Sequence, residues 1–317
     1  MQDSEKPLVS ICCITYNHEP YIRECLEGFM MQQTDFPFEV LIHDDASTDR
    51  TTDIIREYEA KYPDIIKPIY QTENQYSRGK SIWGEFQFPF ARGKYITLCE
   101  GDDFWTDPLK LQIQYDYMET HPDCSICFHY CKTLKNGTLF DNEGVPRLKK
   151  NDIRYGEDFI FNTCSVFFRN IDNSQRLIEV FKRGEGKLKC GDYVIFMIMG
   201  EFGYFHYIDK AMGVYRIHPG GVTHNGKWNA DPTKFFLHYL FLWHEVKLRA
   251  AKNKCKYSIL YELKQAICRF DFPLLRKQVC IIAIHYGIGE VLYWLLLCPI
   301  STFNKYVLNK EIPHPRV

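Results

Sequence analysis

The chain has 317 residues, of which 45% are apolar and 25% charged, with 39 lysines and arginines against 40 aspartates and glutamates and a net charge of −1. That composition is ordinary for a globular protein, and the length suits one large α/β domain or a domain of usual size with an appendage. The near-neutral balance carries no basic footprint, so no nucleic acid partner is expected.

Residues 1–6 are polar, and the apolar run at 8–14 ends at Thr15-Tyr16-Asn17 without a small-residue cleavage site. No secretory signal is therefore expected, and the protein is placed in the cytoplasm. The run itself is apolar at nearly every position, the pattern of a buried parallel strand. The polar stretch Thr15 to Pro20 breaks it, and a helix follows over 21–33 with Ile22, Cys25, Leu26 and Phe29 on one face. A second strand at 38–42 runs into His43-Asp44-Asp45-Ala46-Ser47-Thr48-Asp49 before a helix at 51–62. A weaker strand at 65–70, a polar loop at 71–81 containing Asn74, Arg78 and Gly79, and a helix at 82–91 lead to a strand at 95–99.

That strand ends abruptly in Glu100-Gly101-Asp102-Asp103, and Asp107-Pro108 then predicts a helix start, with Asp as N-cap and Pro at the first helical position. Repeated βα units argue for a parallel sheet with right-handed crossovers. Ligands of such sheets sit beyond the carboxyl ends of the strands, so Glu100, Asp102 and Asp103 should face a crevice. Crowded carboxylates repel, and a hard divalent cation relieves that cost, magnesium and manganese taking one or two carboxylates plus substrate phosphates. A solvated turn capping a helix fits the same spacing. The chain has neither a Gly-rich dinucleotide fingerprint nor a P-loop, so phosphates would need another holder, such as a metal.

The second half changes character. A helix at 109–119 precedes a hairpin of 124–134 and 138–142 across Asn136-Gly137, a type I′ signal. A strand at 163–169, helices at 172–183 and 191–200, and strands at 204–209 and 212–218 follow. The 13 cysteines lie mostly in apolar segments (Cys12, Cys13, Cys99, Cys268 and Cys280 among them), where a thiol serves as a small hydrophobe. Cys124, Cys127, His129 and Cys131 have a metal-like look but lack a second Cys pair at the usual spacing. On a strand, residues three apart face opposite ways, so a core role is expected.

From Asp231 the pattern is helical, with Phe235, Phe236, Tyr239, Leu240, Trp243 and Val246 spaced as one apolar face. Residues 279–300 are mostly apolar but are interrupted by His285, Glu290 and two glycines. A buried or oligomer-forming helix, an interfacial helix in peripheral contact with a membrane, and a true span all remain open for this stretch. The expected division is 1–228, itself a nucleotide-binding half (1–105) and an acceptor half (106–228), and a helical region at 229–317.

Three landmarks carry a resemblance. Pro7-Leu8-Val9-Ser10-Ile11 through Thr15-Tyr16-Asn17, Glu39-Val40-Leu41-Ile42 through Asp49, and Gly93-Lys94-Tyr95-Ile96 through Trp105 resemble, in order and spacing, successive motifs of glycosyltransferase family 2, over roughly residues 7–225. The resemblance implies an α/β GT-A (Rossmann-like) mixed sheet flanked by helices, here with the C-terminal helical appendage. It also implies inverting transfer from a nucleotide-sugar donor, a UDP-sugar by expectation, to a saccharide or lipid-linked acceptor, in cell-surface polysaccharide or glycolipid synthesis at the inner membrane face. A divalent metal, Mn2+ or Mg2+, is implied as cofactor.

Carried over by residue, Thr15, Tyr16 and Asn17 match the loop bordering the nucleoside, and Asp44 the acid that binds the base; a helix cap is the alternative for Asp44. Glu100 and Asp102 stand at the family's DXD motif, with Glu in place of the first Asp, so that Asp102 is the expected metal ligand, Glu100 a donor contact and Asp103 a helper or cap. Arg78 lies in a loop that often supplies a basic contact. Gly191-Asp192 resembles the motif whose Asp is the general base; a helix N-cap, or Glu157-Asp158 as the base pair, are the alternatives. In Tyr215-Arg216-Ile217-His218-Pro219-Gly220-Gly221, which resembles the segment closing over the diphosphate, His218 is an expected metal ligand and Arg216 a neutraliser of leaving-group charge. Thr163, Ser165 and Arg169 fall where the acceptor is usually bordered. A nucleotide-sugar-forming nucleotidyltransferase and a metal- or nucleotide-binding regulatory module are the competing readings.

Overall fold

A computed structural model of the chain describes residues 6–141, 152–153, 161–188 and 190–221. The chain divides into two compact units, Met1–Trp228 and Asn229–Val317, and every described residue belongs to the first. The apolar stretch at 279–300, the helical pattern from Asp231 and the Glu157-Asp158 pair lie outside the described residues.

The nucleotide half follows the apolar runs. Strand β1 (Val9–Thr15) is buried at nearly every position and pairs in parallel with β2 (Phe38–Asp44) on one side and β4 (Tyr95–Glu100) on the other, with β3 (Ile66–Tyr70) beyond β2. Helices α1 (Ile22–Met30) and α2 (Thr51–Lys61) cover the sheet, α1 burying Ile22, Cys25, Leu26 and Phe29. At the amino edge of the strands, buried Glu39 accepts the Ser10 hydroxyl at 2.7 Å, the Arg92 backbone N–H at 2.9 Å and the Arg92 guanidinium at 2.8 and 2.6 Å. A carboxylate taken out of water costs several kcal/mol unless it is paired in this way. The functional loops lie at the opposite edge.

The rest of the sheet is antiparallel or mixed. After the short strand β5 (Phe104–Trp105) come α3 (Lys110–Thr120), β6 (Cys124–Lys135), β7 (Thr138–Phe140), β8 (Asp152–Ile153), β9 (Phe167–Arg169), α4 (Gln175–Arg183), α5 (Gly191–Met199) and β10 (Tyr204–Ile217). The described strands form one sheet in the order β3-β2-β1-β4-β9-β6-β10-β5, with β7 on β6 and β8 on β10. Asn136 (φ 50°) and Gly137 (φ 77°) both adopt the left-handed conformation that the type I′ hairpin between β6 and β7 requires.

Several expectations need correction. Residues 82–91 are not one helix but a π-helical turn, Trp83–Gln87, followed by a 3-10 turn, Phe88–Phe90. Pro89 removes a backbone donor, and the Gln87 amide is drawn into the sheet, donating to the carbonyls of Cys13 at 2.7 Å and Leu41 at 2.8 Å. The two strands expected over 204–218 are one. Pairing with β6 continues through register shifts around Ala211, where exposed Asp209 and Lys210 interrupt the apolar pattern. Helix α3 starts at Lys110 with Leu109 as its N-cap, so Asp107 is not the cap; it accepts the Leu109 N–H at 2.9 Å and pairs with Lys210 at 2.6 Å. The 163–169 strand is a 3-10 turn, Thr163–Ser165, followed by β9. The described cysteines, Cys124, Cys127 and Cys131 included, are buried and outside any disulfide, and among the described residues no group of three His, Cys, Asp or Glu is arranged to hold a metal.

Candidate functional site

The carboxyl ends of β1, β2 and β4 deliver three polar loops to one edge, and the end of β10 returns to the same place. Asp102, just past β4, is the meeting point. Its Oδ2 lies 2.9 Å from His218 Nε2 and 3.9 Å from His18 Nε2, and the three side chains are 18%, 10% and 17% exposed. Burial pushes the Asp102 carboxyl up, but the hydrogen bond to His218 and the nearby imidazoles outweigh it and hold the acid below its ordinary value.

The fixed backbone around Asp102 comes from two other residues. Arg216 donates through Nε to the Asp102 carbonyl at 2.8 Å and through Nη2 to Glu24 at 2.6 Å, its guanidinium lying over the rings of Tyr21 and Phe104. Asp103 points inward, buried, and accepts the Arg216 N–H at 2.8 Å. Arg216 thus helps to fix the acidic turn, and Asp103 ties β10 to it.

Gly101 fits because of what surrounds it. A Cβ there would stand 2.9 Å from the Thr15 Cβ and Oγ1 and 3.0 Å from His18 Nδ1. Gly101→Ala is accordingly expected to displace Thr15 and His18, to cost about 1–3 kcal/mol as overpacking does, and to weaken donor affinity. A lowered urea midpoint with affinity unchanged would show that the Thr15–His18 contact has no part in the site.

Glu100 links this cluster to the second half. Its carboxyl is pushed up to about 8 by burial first and then by the charges of Asp102 and Asp192, while a hydrogen bond from Thr163 acts against the shift. Asp192 lies in the first turn of α5, whose N-cap is Cys190 with no side-chain cap bond, so the N-cap alternative for Asp192 does not hold. It is partly exposed, its Oδ1 accepts the Tyr193 N–H at 2.9 Å, and burial pushes its carboxyl up to about 6 against that bond. The Asp192 charge at the start of α5 is thus one of the causes acting on Glu100 at the end of β4.

The remaining expected residues divide. Asn17 (φ 54°) ties the first two loops together, its N–H donating to Ser47 at 2.9 Å and its Oδ1 accepting the Thr48 N–H at 2.7 Å. Tyr16 is exposed at the loop surface and Thr15 is sealed, with its hydroxyl unpartnered. Asp44 accepts the Ser47 N–H at 3.2 Å, the Ser47 hydroxyl at 2.5 Å and the Thr52 hydroxyl. A carboxylate has about four acceptor sites, of which three are filled here, and the side chain is buried. Arg78 is exposed and paired with Glu73. Ser165 is buried, and Arg169 fastens α3 to β6 through the carbonyls of Cys124, Met118 and His121, so of the expected acceptor set Thr163 alone touches the acids.

Two residues escaped the sequence reading. Asp45, beside Asp44, is buried and clamps the 71–81 loop by accepting the N–H groups of Gln75 at 2.7 Å and Tyr76 at 3.0 Å. His18 stands against Asp102. The signal for both was their place in the strand-end loops, where any polar residue is a candidate.

A parallel sheet continued by antiparallel and mixed strands and flanked by helices is the GT-A fold of glycosyltransferases. The family profile described as "Glycosyl transferase family 2" matches residues 10–175, and the chain belongs to that family. An uncharacterized protein of Mycobacterium tuberculosis is 36% identical over 234 residues, which cover 72% of this chain and 63% of that relative, so the chain spans less than two thirds of its length. TuaG of Bacillus subtilis, named for teichuronic acid biosynthesis, is 32% identical over 43% of this chain and 52% of its own. The crystal structure of S. aureus TarS 1-349 in complex with UDP-GlcNAc aligns with a TM-score of 0.63 at 17% identity, covering 96% of this chain and 93% of that one.

Proposed function

We propose that the chain transfers a sugar, with inversion, from a nucleotide-diphosphate donor, a UDP-sugar first among them, to a hydroxyl of a saccharide or lipid-linked acceptor in cell-surface polysaccharide synthesis. The observation that carries this reading is the acidic turn after β4, where Asp102 meets His218 at 2.9 Å at the carboxyl edge of the parallel strands, with Asp192 acting on neighbouring Glu100 from the start of α5. One acid then serves the leaving side and one the attacking side. TuaG's name supports the polymer class, and the UDP-GlcNAc of the TarS complex supports the donor class.

In the proposed reaction Asp192 accepts the proton of the acceptor hydroxyl while that oxygen attacks the anomeric carbon and the bond to the diphosphate breaks. The remaining acceptor site of Asp44 takes the imide N–H of uracil, a charge-assisted bond. Asp102 and His218 are the residues that would hold a divalent cation: a carboxylate oxygen and an imidazole nitrogen meet at 2.9 Å, a donor set that manganese accepts, with diphosphate oxygens completing it. Such a cation would supply charge neutralisation for the departing diphosphate. Arg216 holds the Asp102 backbone still, and Thr163 orients Glu100. We place the reaction in the cytoplasm, on the inner membrane face, from the sequence pattern at 279–300; no helix among the described residues is long and apolar enough to cross a membrane.

Thermal-shift screening with a panel of nucleotide sugars tests the reading. A ligand at 100 times its Kd adds about 2.7 kcal/mol, and each kcal/mol moves Tm by about 2–4 °C for a domain of this size. A UDP-sugar should raise Tm in the presence of Mn2+ and much less in EDTA. If no nucleotide sugar moves Tm under either condition, the reading is wrong.

A further inference from the structure

Beneath the acidic turn lies a cluster that the proposed reaction does not use. Cys131 on β6 and Cys164 in the turn before β9 are both buried, with their Sγ atoms 3.7 Å apart. The wholly buried Lys110 ammonium is held by Thr97 at 3.1 Å and Gln114 at 2.7 Å, over the Trp105 ring. His129 Nδ1 lies 3.8 Å from Cys131 Sγ. The Asp103 carboxylate is a neighbouring charge for Cys164, whose carbonyl accepts the Trp105 indole N–H at 2.8 Å.

We propose that Cys131 and Cys164 are a hydroperoxide-sensitive dithiol that closes to a reversible disulfide under the candidate active site. The two thiols have unlike surroundings. Burial raises Cys131, but the hydrogen bond from Cys164, the His129 imidazole and the Lys110 charge bring it down to about 5. Cys164 is raised by its bond to Cys131, by burial and by the Asp103 charge. The surroundings therefore favour the Cys131 sulfur as the nucleophile and Cys164 as its partner. By contrast Cys12, Cys25 and Cys99 are all raised, burial being the main cause, and stay inert thiols.

The chemistry balances in two steps. The Cys131 thiolate attacks the terminal oxygen of a hydroperoxide, the O–O bond breaks, and with one proton taken up the products are a sulfenic acid and an alcohol or water. The Cys164 sulfur then attacks the sulfenic sulfur, the S–S bond forms, and the hydroxyl leaves as water with the Cys164 proton. Two electrons have passed from the thiols to the hydroperoxide. Closing from 3.7 Å to a bond of about 2.0 Å draws the turn that carries Thr163 toward β6 and moves the Cys164 sulfur relative to the neighbouring Asp103. Those residues support Glu100 and Arg216, so the disulfide is expected to weaken donor binding, a consequence that rests on the function proposed above.

The test treats the reduced full-length protein with hydrogen peroxide, blocks free thiols with N-ethylmaleimide under denaturing conditions, and maps peptides by mass. The expected result is a Cys131–Cys164 linked peptide lighter by two hydrogens, reversed by dithiothreitol, and a dimedone adduct on Cys131 in Cys164→Ser. The proposal is overturned if the wild-type protein leaves both thiols alkylated after peroxide, or if other cysteines link as readily as this pair. Wild-type mapping decides this even if the serine variant does not fold. The covalent readout is also independent of donor chemistry: a reduced protein that ignores every nucleotide sugar refutes the proposed function, whereas a missing linked peptide refutes only this inference.

Discussion

Asp192→Asn is expected to lower sugar transfer by at least about 100-fold, the lower bound for loss of a general base, while leaving donor affinity within a factor of about two. The side chain sits in the first turn of α5, on a different element from Asp102, His18 and His218. Asparagine preserves shape and the acceptor oxygen that receives the Tyr193 N–H, so the helix start should persist. What vanishes is the ability to take a proton. Steady-state transfer beside donor titration by calorimetry separates the two effects, and retained turnover would reject Asp192 as the base.

The same assignment fixes a pH dependence. A base works only when deprotonated, and burial raises this acid to about 6. The kcat/KM of the wild-type protein should therefore climb through about pH 6 and level off above it, and the residual activity of Asp192→Asn should lack that limb. Stability supplies an internal control. An unfolded aspartate titrates near about 3.9; below that value the acid is protonated in both states and costs nothing, and above about 6 the folded state must hold the charge against burial. Asparagine carries no such cost. The variant should melt at or above the wild-type temperature at pH 7, so a lost activity with a lowered Tm would point to damaged packing instead of a missing base.

Much of the nucleotide half could be read from local pattern. The apolar runs of β1, β2 and β4 each end in polar or acidic residues, and such boundaries need no tertiary information. The Asn136-Gly137 turn was equally local. The second half was harder because its elements depend on distant partners. Asp209 and Lys210 break the apolar pattern of β10, yet pairing to β6 carries the strand past them. Residues 82–91 have helical spacing, but the pull of Gln87 into the sheet decides their shape.

The site shows the same division. Which loops hold the acids was legible; which way each side chain turns was not. Asp102 and Asp103 are adjacent in sequence and opposite in use, one facing the imidazoles and the other buried on the Arg216 N–H. The arginines were least legible of all, since a guanidinium takes whichever carboxylate or carbonyl the fold brings near. For Arg216 that is Glu24, 192 residues away, and for Arg169 it is a row of backbone carbonyls.

Asp102→Asn is expected to remove metal-dependent donor affinity. Changes to residues that merely support a metal ligand cost about 10–100-fold in affinity, so loss of the ligand itself should cost at least as much. The substitution is conservative for the fold: Arg216 grips the Asp102 carbonyl, not its side chain, and the asparagine oxygen can still accept from His218. It deletes the one acid of the trio that is held below its ordinary value, Glu100 being raised to about 8 and Asp103 well above its usual range. Removing that charge takes away a cause of the Glu100 shift, so Glu100 should ionise at lower pH in the variant and offer a carboxylate close to the lost position. Partial recovery of Mn2+-dependent binding at alkaline pH in Asp102→Asn, abolished in Asp102→Asn/Glu100→Gln, would identify Glu100 as the substitute. Donor affinity in Mn2+ equal to wild type at pH 7, measured by calorimetry with and without EDTA, would mean that Asp102 is not the residue that holds the cation.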